Sequence, residues 1–119
     1  MKRLIAAAAV LAVTSPAAVA ASHFLKVSPS SVKAGKSVTL SGSVDHGCQT
    51  PSQVTIYSNA FKGATTHEFA GVPAVYATAD KNGTFSKKIT IKKTTKKGTY
   101  HVGGRCGGGT FGSATLKVT

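Results

Sequence analysis

Residues 37–44 read SVTLSGSV, and every second residue is apolar or glycine. Val38, Leu40, Gly42 and Val44 share one face of an extended chain, and Thr39, Ser41 and Ser43 share the other. A period of two over this length marks a strand buried on one side only. The pattern recurs toward the C-terminus. QVTIYS at 53–58 sets Val54 and Ile56 against Thr55 and Tyr57. GTFSKKITI at 83–91 puts Phe85, Ile89 and Ile91 on one side. TYHVGGRC at 99–106 aligns Tyr100, Val102, Gly104 and Cys106, and ATLKV at 114–118 aligns Ala114, Leu116 and Val118. AVYATA at 74–79 leaves two inward faces open, Val75 with Ala77 and Ala79, or Ala74 with Tyr76 and Thr78. A first strand around Phe24–Val27 brings the number to about seven.

Turn signals separate these runs. SPSSVKAGK at 28–36 links the first two, and ADKNGT at 79–84 carries Asn82-Gly83, a tight-turn pair in which Asp80 caps backbone amides. KKTTKKG at 92–98 and CGGGTFG at 106–112 separate the last three. Residues 59–74, NAFKGATTHEFAGVPA, do not alternate and are read as a long loop with one short edge strand at most. Short strands with turns about every ten residues, and no helical spacing, predict an all-β, Ig-like antiparallel β-sandwich of about seven strands.

The N-terminus has a different character. MKRLIAAAAVLAVTSPAAVAASHF carries Lys2 and Arg3, ten apolar residues from Leu4 to Val13, Pro16, and the small-x-small series Ala18-Val19-Ala20. This is the order of a secretory signal peptide, and the apolar run is half of what a membrane span needs. Residues 1–21 are therefore expected to be a leader, cleaved after Ala20 or Ala21. Residues 22–119 then form one small exported domain.

That domain holds two cysteines, Cys48 and Cys106. In an exported chain a lone pair is expected to form a disulfide. The loop would span 59 residues (106 − 48 + 1). Cys106 has the inward parity of its strand and Cys48 lies just past the second, an immunoglobulin-type placement. The chain has no Trp, and Tyr100 lies six residues before Cys106 where a tyrosine corner would lie two before it.

These strands carry a resemblance. VSPSSVKAGKSVTLSGSV, ATADKNGTFSKKITI and GTYHVGGRCGG with ATLKV resemble the small secreted Ig-like modules of high-GC Gram-positive bacteria, over about Phe24–Thr119. The opening and the DKNGTF turn are also similar to neocarzinostatin-type apoproteins. That similarity implies a small chromophore in a sandwich cleft, although the type has two disulfides and an acidic surface.

Charge is the strongest functional signal. The chain has 15 Lys and Arg against 3 Asp and Glu. Without Lys2 and Arg3 the balance is 13 − 3 = +10. Twelve of the 13 are lysines, compact hydrated charges suited to diffuse attraction, and Arg105 is the exception. Six of the eleven residues in KKITIKKTTKK, 87–97, are lysine. Two readings stand side by side: a solvated strand whose lysines deter edge pairing, with Lys87 leaning inward as that device, or a surface for a polyanion. On the second reading Lys88, Lys92, Lys93, Lys96, Lys97 and Arg105 are the contacts. An anionic cell-wall polymer such as a teichoic acid is then the partner, and no specific nucleic acid is expected.

Catalytic patterns are sparse. The carboxylates are Asp45, Glu68 and Asp80, few for glycoside chemistry, and no nucleophile elbow occurs. VGGRCGGG is followed by no helix and matches no phosphate loop; it reads as a hairpin loop beside the disulfide, or as a ligand loop with Arg105 as anion contact. A non-enzymatic module without cofactor is expected. The histidines read as solvated, with one exception. Cleavage before Ala21 would place His23 third, where amine, amides and imidazole can wrap Cu(II) or Ni(II). A small-molecule carrier and a secreted enzyme remain the rival functions.

Overall fold

The computed structural model describes residues 24–44, 52–106 and 109–119. Nine strands occur among them: β1 (Phe24–Ser28), β2 (Ser31–Val32), β3 (Ser37–Ser43), β4 (Ser52–Tyr57), β5 (His67–Phe69), β6 (Val72–Ala79), β7 (Thr84–Thr90), β8 (Gly98–Cys106) and β9 (Gly109–Val118). Two sheets form. One has three strands in the order β1-β3-β7, and the other has six in the order β2-β9-β8-β4-β6-β5. All pairings are antiparallel except β2 beside β9. The fold is an Ig-like β-sandwich, as the alternation predicts.

The inward sets meet between the sheets. Val38, Leu40 and Val44 of β3 and its end, Val54 and Ile56 of β4, Phe85 and Ile89 of β7, and Leu116 and Val118 of β9 are all buried. The ambiguity in β6 resolves to Val75, Ala77 and Ala79 inward, while Thr78 is exposed. Small side chains suffice there because Phe85 and Phe111 fill the same core, their rings edge to face at 5.6 Å. Full burial of a Leu or Ile side chain stabilises by about 1.5–3 kcal/mol, so Leu40 and Ile56, both at 0% exposure, are central.

The long strands match the expected number, and two short ones are added. Seven strands have five or more residues, and the two extra ones, β2 and β5, are too short for a period to be seen. The segment 59–74 is not a long loop. Ser58 accepts the Ala60 amide at 3.1 Å and starts a 3₁₀ turn, Asn59–Phe61, which buries Ala60 and Phe61. The Thr65 hydroxyl donates to the Ala74 carbonyl at 2.6 Å. β5 then turns into β6 through Ala70 and Gly71, both left-handed at φ 52° and 84°. Such a pair is the two-residue hairpin geometry that fits strand twist.

CGGGTFG is likewise more regular than expected. β8 and β9 pair continuously from Gly98↔Val118 to Cys106↔Gly109, so the strands extend into the glycine-rich run. Phe111 is a core residue: its ring lies across Gly104, where a Cβ would come within 2.5 Å of it. Cys106 is buried at the end of β8. Cys48, with Asp45 and His46, lies outside the described residues, as do His23 and the whole leader.

Asp80 caps its turn as the sequence indicates. Its carboxylate accepts the Thr84 hydroxyl at 2.7 Å and the Thr84 and Asn82 amides at 3.0 and 2.9 Å. Gly83 follows at φ 85°, and its carbonyl receives the Val44 amide, which docks the turn on the end of β3. The Thr84 hydroxyl and amide, with smaller help from Asn82 and Gly83, hold the Asp80 carboxyl below its usual range. A folded value below the unfolded one means stability that is present above the unfolded pKa, about 3.9, and lost as pH falls through the folded value. Asp80→Asn should therefore melt below the wild type near neutral pH, and the two melting curves should converge as the pH is lowered to about 2. Melting temperatures that stay apart in acid would show that ionisation has no part in the cap.

Candidate functional site

The two sheets differ in width, and that difference creates the site. β7 pairs with β3 on one side only. Across the gap, β5 pairs with β6 only at Val72–Ala74, so the edge of β6 from Val75 onward is also unpaired in the sheet. β6 and β7 leave the Asp80–Gly83 turn in opposite sheets and separate as they run from it. Between them lies a groove of about 650 Å³. Val75 and Ile89 contribute apolar surface to it, Tyr76 and His67 a pair of rings, Thr65 and Thr90 hydroxyls, and Lys87, Lys88 and Lys92 supply the charge.

Lys87 has the inward parity of Phe85 and Ile89, yet it is exposed. The reason is its position: the interior ends at this edge, and an inward-pointing stem emerges into the groove. A second groove of about 510 Å³ follows the turn after β7, bounded by Lys62, Lys92, Lys96 and Tyr100. Lys92 belongs to both. Its carbon stem lies against Gly63, where a Cβ would sit 2.7 Å from Cδ. The stem is thus held on the surface while the ammonium stays in water. The Tyr100 hydroxyl donates to the Lys96 carbonyl at 2.5 Å and ties the lysine turn to β8.

Lys88, Lys92, Lys93, Lys96 and Lys97 are all exposed, on β7 or in the turn that follows. Among the described residues neither groove is lined by Asp or Glu. Among the described residues the acids are Glu68, on the short edge strand, and Asp80, engaged in its own turn. Lys62 joins the basic surface although its own segment gave no sign of it in the sequence.

Arg105 is placed elsewhere. It lies eight residues beyond Lys97 along β8, about 26 Å at 3.3 Å per residue. Its guanidinium donates to Thr110 Oγ1 at 3.0 Å and lies 4.9 Å from the centre of the Phe69 ring. The surface thus separates into a lysine edge and an arginine-bearing sheet face. His67 and His101 are exposed but not scattered. His67 stacks on Tyr76 at 4.3 Å, and His101 lies 6.4 Å from Tyr57. Among the described residues no group of three His, Cys, Asp or Glu could hold a metal ion.

No family model matches the chain, and no curated protein matches it in sequence. Two solved structures with similar outlines are a superoxide reductase (neelaredoxin) from Ignicoccus hospitalis and the third ScaB cohesin of R. flavefaciens in complex with a group 1 dockerin. The first has 17% identity and a TM-score of 0.48, over 87% of this chain and 86% of that one. The second has 19% identity and a TM-score of 0.40, over 83% and 96%. At these values the architecture rests on the strand order and register described above. Among the described residues no helix is long and apolar enough to cross a membrane.

Tyr100 offers a direct probe of the lysine turn. Tyr100→Phe keeps the ring and removes the bond to the Lys96 carbonyl, which should cost about 0.5–1.5 kcal/mol. Amide exchange at Thr95–Lys97 should quicken while exchange in β3 and β4 slows or quickens only with global stability. Unchanged exchange in that turn would show that it is held by other contacts.

Proposed function

We propose that the protein is a non-enzymatic module, secreted after loss of its leader, that holds an anionic cell-surface polymer along the open edge of β7 and the turn after it. The observation that carries this reading is the pair of grooves. Both are walled by lysine, both lack a carboxylate, and Lys92 joins them into one basic track. A chain of phosphates or carboxylates can lie along such a track without a pocket for any one unit. The leader is inferred from residues 1–21 and Cys48–Cys106 from the composition of an exported domain. The carrier function suggested by the neocarzinostatin-type resemblance would want an apolar cleft, and both grooves are basic instead.

The physical basis is counterion release and general attraction, so binding should weaken steeply with salt. Replacing Lys88, Lys92, Lys93, Lys96 and Lys97 together with glutamine should leave the fold intact, because all five are exposed. Elution from immobilised wall teichoic acid should shift to much lower salt. If all five contact phosphates, the slope of log affinity on log salt should fall in magnitude by roughly 3.5. Any single replacement should do little. Co-elution of the five-lysine variant with the wild type would reduce the cluster to a solvated edge.

The expected Cys48–Cys106 bond has its own check. Closing 59 residues limits the unfolded chain by about 4 kcal/mol in the chain-entropy account. Reduction of the secreted protein should lower its melting temperature strongly. Two titratable thiols in the native oxidised protein would refute the bond.

A further inference from the structure

The outer face of the six-stranded sheet does not look like a face that only meets water. An antiparallel sheet with one solvated side normally carries polar residues there, and β9 does so with Thr110, Ser113, Thr115 and Lys117. Toward β5 the composition changes. Register places Tyr57 beside Gly103 on one side and Ala74 on the other, with His67 beyond Ala74. The phenol end of Tyr57 lies over Gly103, where a Cβ would come within 2.4 Å of the ring. Phe69 meets Tyr57 at 5.1 Å. Tyr76 and His67 stack beside them. Three of the chain's eight Phe and Tyr residues are on this one face, with two of its four histidines.

Packing alone does not account for the arrangement. Tyr57, Phe69 and Tyr76 remain half-buried, and His67 and His101 are exposed. Clusters of exposed apolar rings mark binding surfaces more often than single ones do. The charge around the rings is of one sign. Arg105 is held over Phe69 by Thr110. Glu68 points to the other side of β5, since its neighbours His67 and Phe69 face outward.

We infer that this face binds an acidic polysaccharide, with the apolar side of a hexuronate ring on Tyr57 and Phe69 and its carboxylate toward Arg105. The chemistry follows from the two components. The C–H side of a pyranose is apolar and electropositive, and it complements the negative face of an aromatic ring. A fixed guanidinium presents planar donors that suit a carboxylate. The face adjoins the lysine edge, since His67 and Tyr76 also line the groove there, but Tyr57, Phe69 and Arg105 lie outside that groove, so the site stands whether or not that edge binds a polymer.

The test uses a trigalacturonate and its methyl ester, in 0.3 M salt, with the five-lysine variant as the host so that the other surface is silent. Saturation-transfer NMR should show the strongest transfer to the ring-face protons, and calorimetry should show the acid binding at least tenfold more tightly than the ester. Phe69→Ala and Tyr57→Ala should each weaken binding at least tenfold, while Tyr57→Phe, which keeps the ring, should retain it. Arg105→Gln should remove the preference for the acid. Equal binding of acid and ester would overturn the inference, as would no saturation transfer to either. Binding present in the wild type but absent from the five-lysine host would also overturn it, by assigning the sugar to the lysine edge.

Discussion

A three-stranded sheet must cover a six-stranded one, and the edges of the sandwich follow from that mismatch. β1 and β7 are the two edges of the smaller sheet, and the β1 edge is closed because β1 packs against β9 and the chain crosses from β1 to β2 into the second sheet. β7 has no such closure. Its Phe85 and Ile89 are needed in the core, yet among the described residues no strand lies beside its far edge. An open, flat edge of that kind invites pairing with another chain, and lysine is a common protection. Lys87 and Lys88 stand on that edge and Lys92 just beyond it, each with its charge in water. Two copies meeting edge to edge would oppose like charges, which the same lysines disfavour.

Protection and binding are therefore not rival explanations of KKITIKKTTKK. The charge that repels a second copy attracts a polyanion, and the strand's missing neighbour leaves the space in which such a polymer could lie. What separates a merely protected edge from a binding track is order. Lys92 is steadied against Gly63, and the turn bearing Lys96 is bonded to Tyr100. Side chains already held in place lose less entropy on binding than free ones, so these two contacts favour the track.

Alternation made the long strands legible. β3, β4, β7 and β8 each carry their inward residues at the expected parity, because each has one wet side and one dry side. The same logic fails for β2 and β5, where two or three residues cannot display a period. It fails at Gly109–Phe111 for another reason: glycines read as loop, and only the packing of Phe111 across Gly104 makes them strand. Ala70 concealed the β5–β6 hairpin, since a left-handed alanine is uncommon and gives no turn signal of its own. The lysines were legible as charge. The grooves were not, because they depend on Lys62, Tyr100 and the separation of β6 from β7, all distant in sequence.

Arg105 shows how the fold separates charges that composition alone would merge. Counted by charge, it belongs with the lysines. By register it sits opposite Thr55, on the sheet face with Tyr57. A β-bulge between Gly104 and Arg105 adds local twist at that point, and the guanidinium reaches Phe69 on β5. Arginine tolerates such a site better than lysine, since its planar, weakly hydrated head can lie on a ring and still donate to Thr110. Lysine would keep its hydration shell and leave the ring uncovered. The single arginine among the described residues thus stands on a ring, and the lysines stand where only charge is.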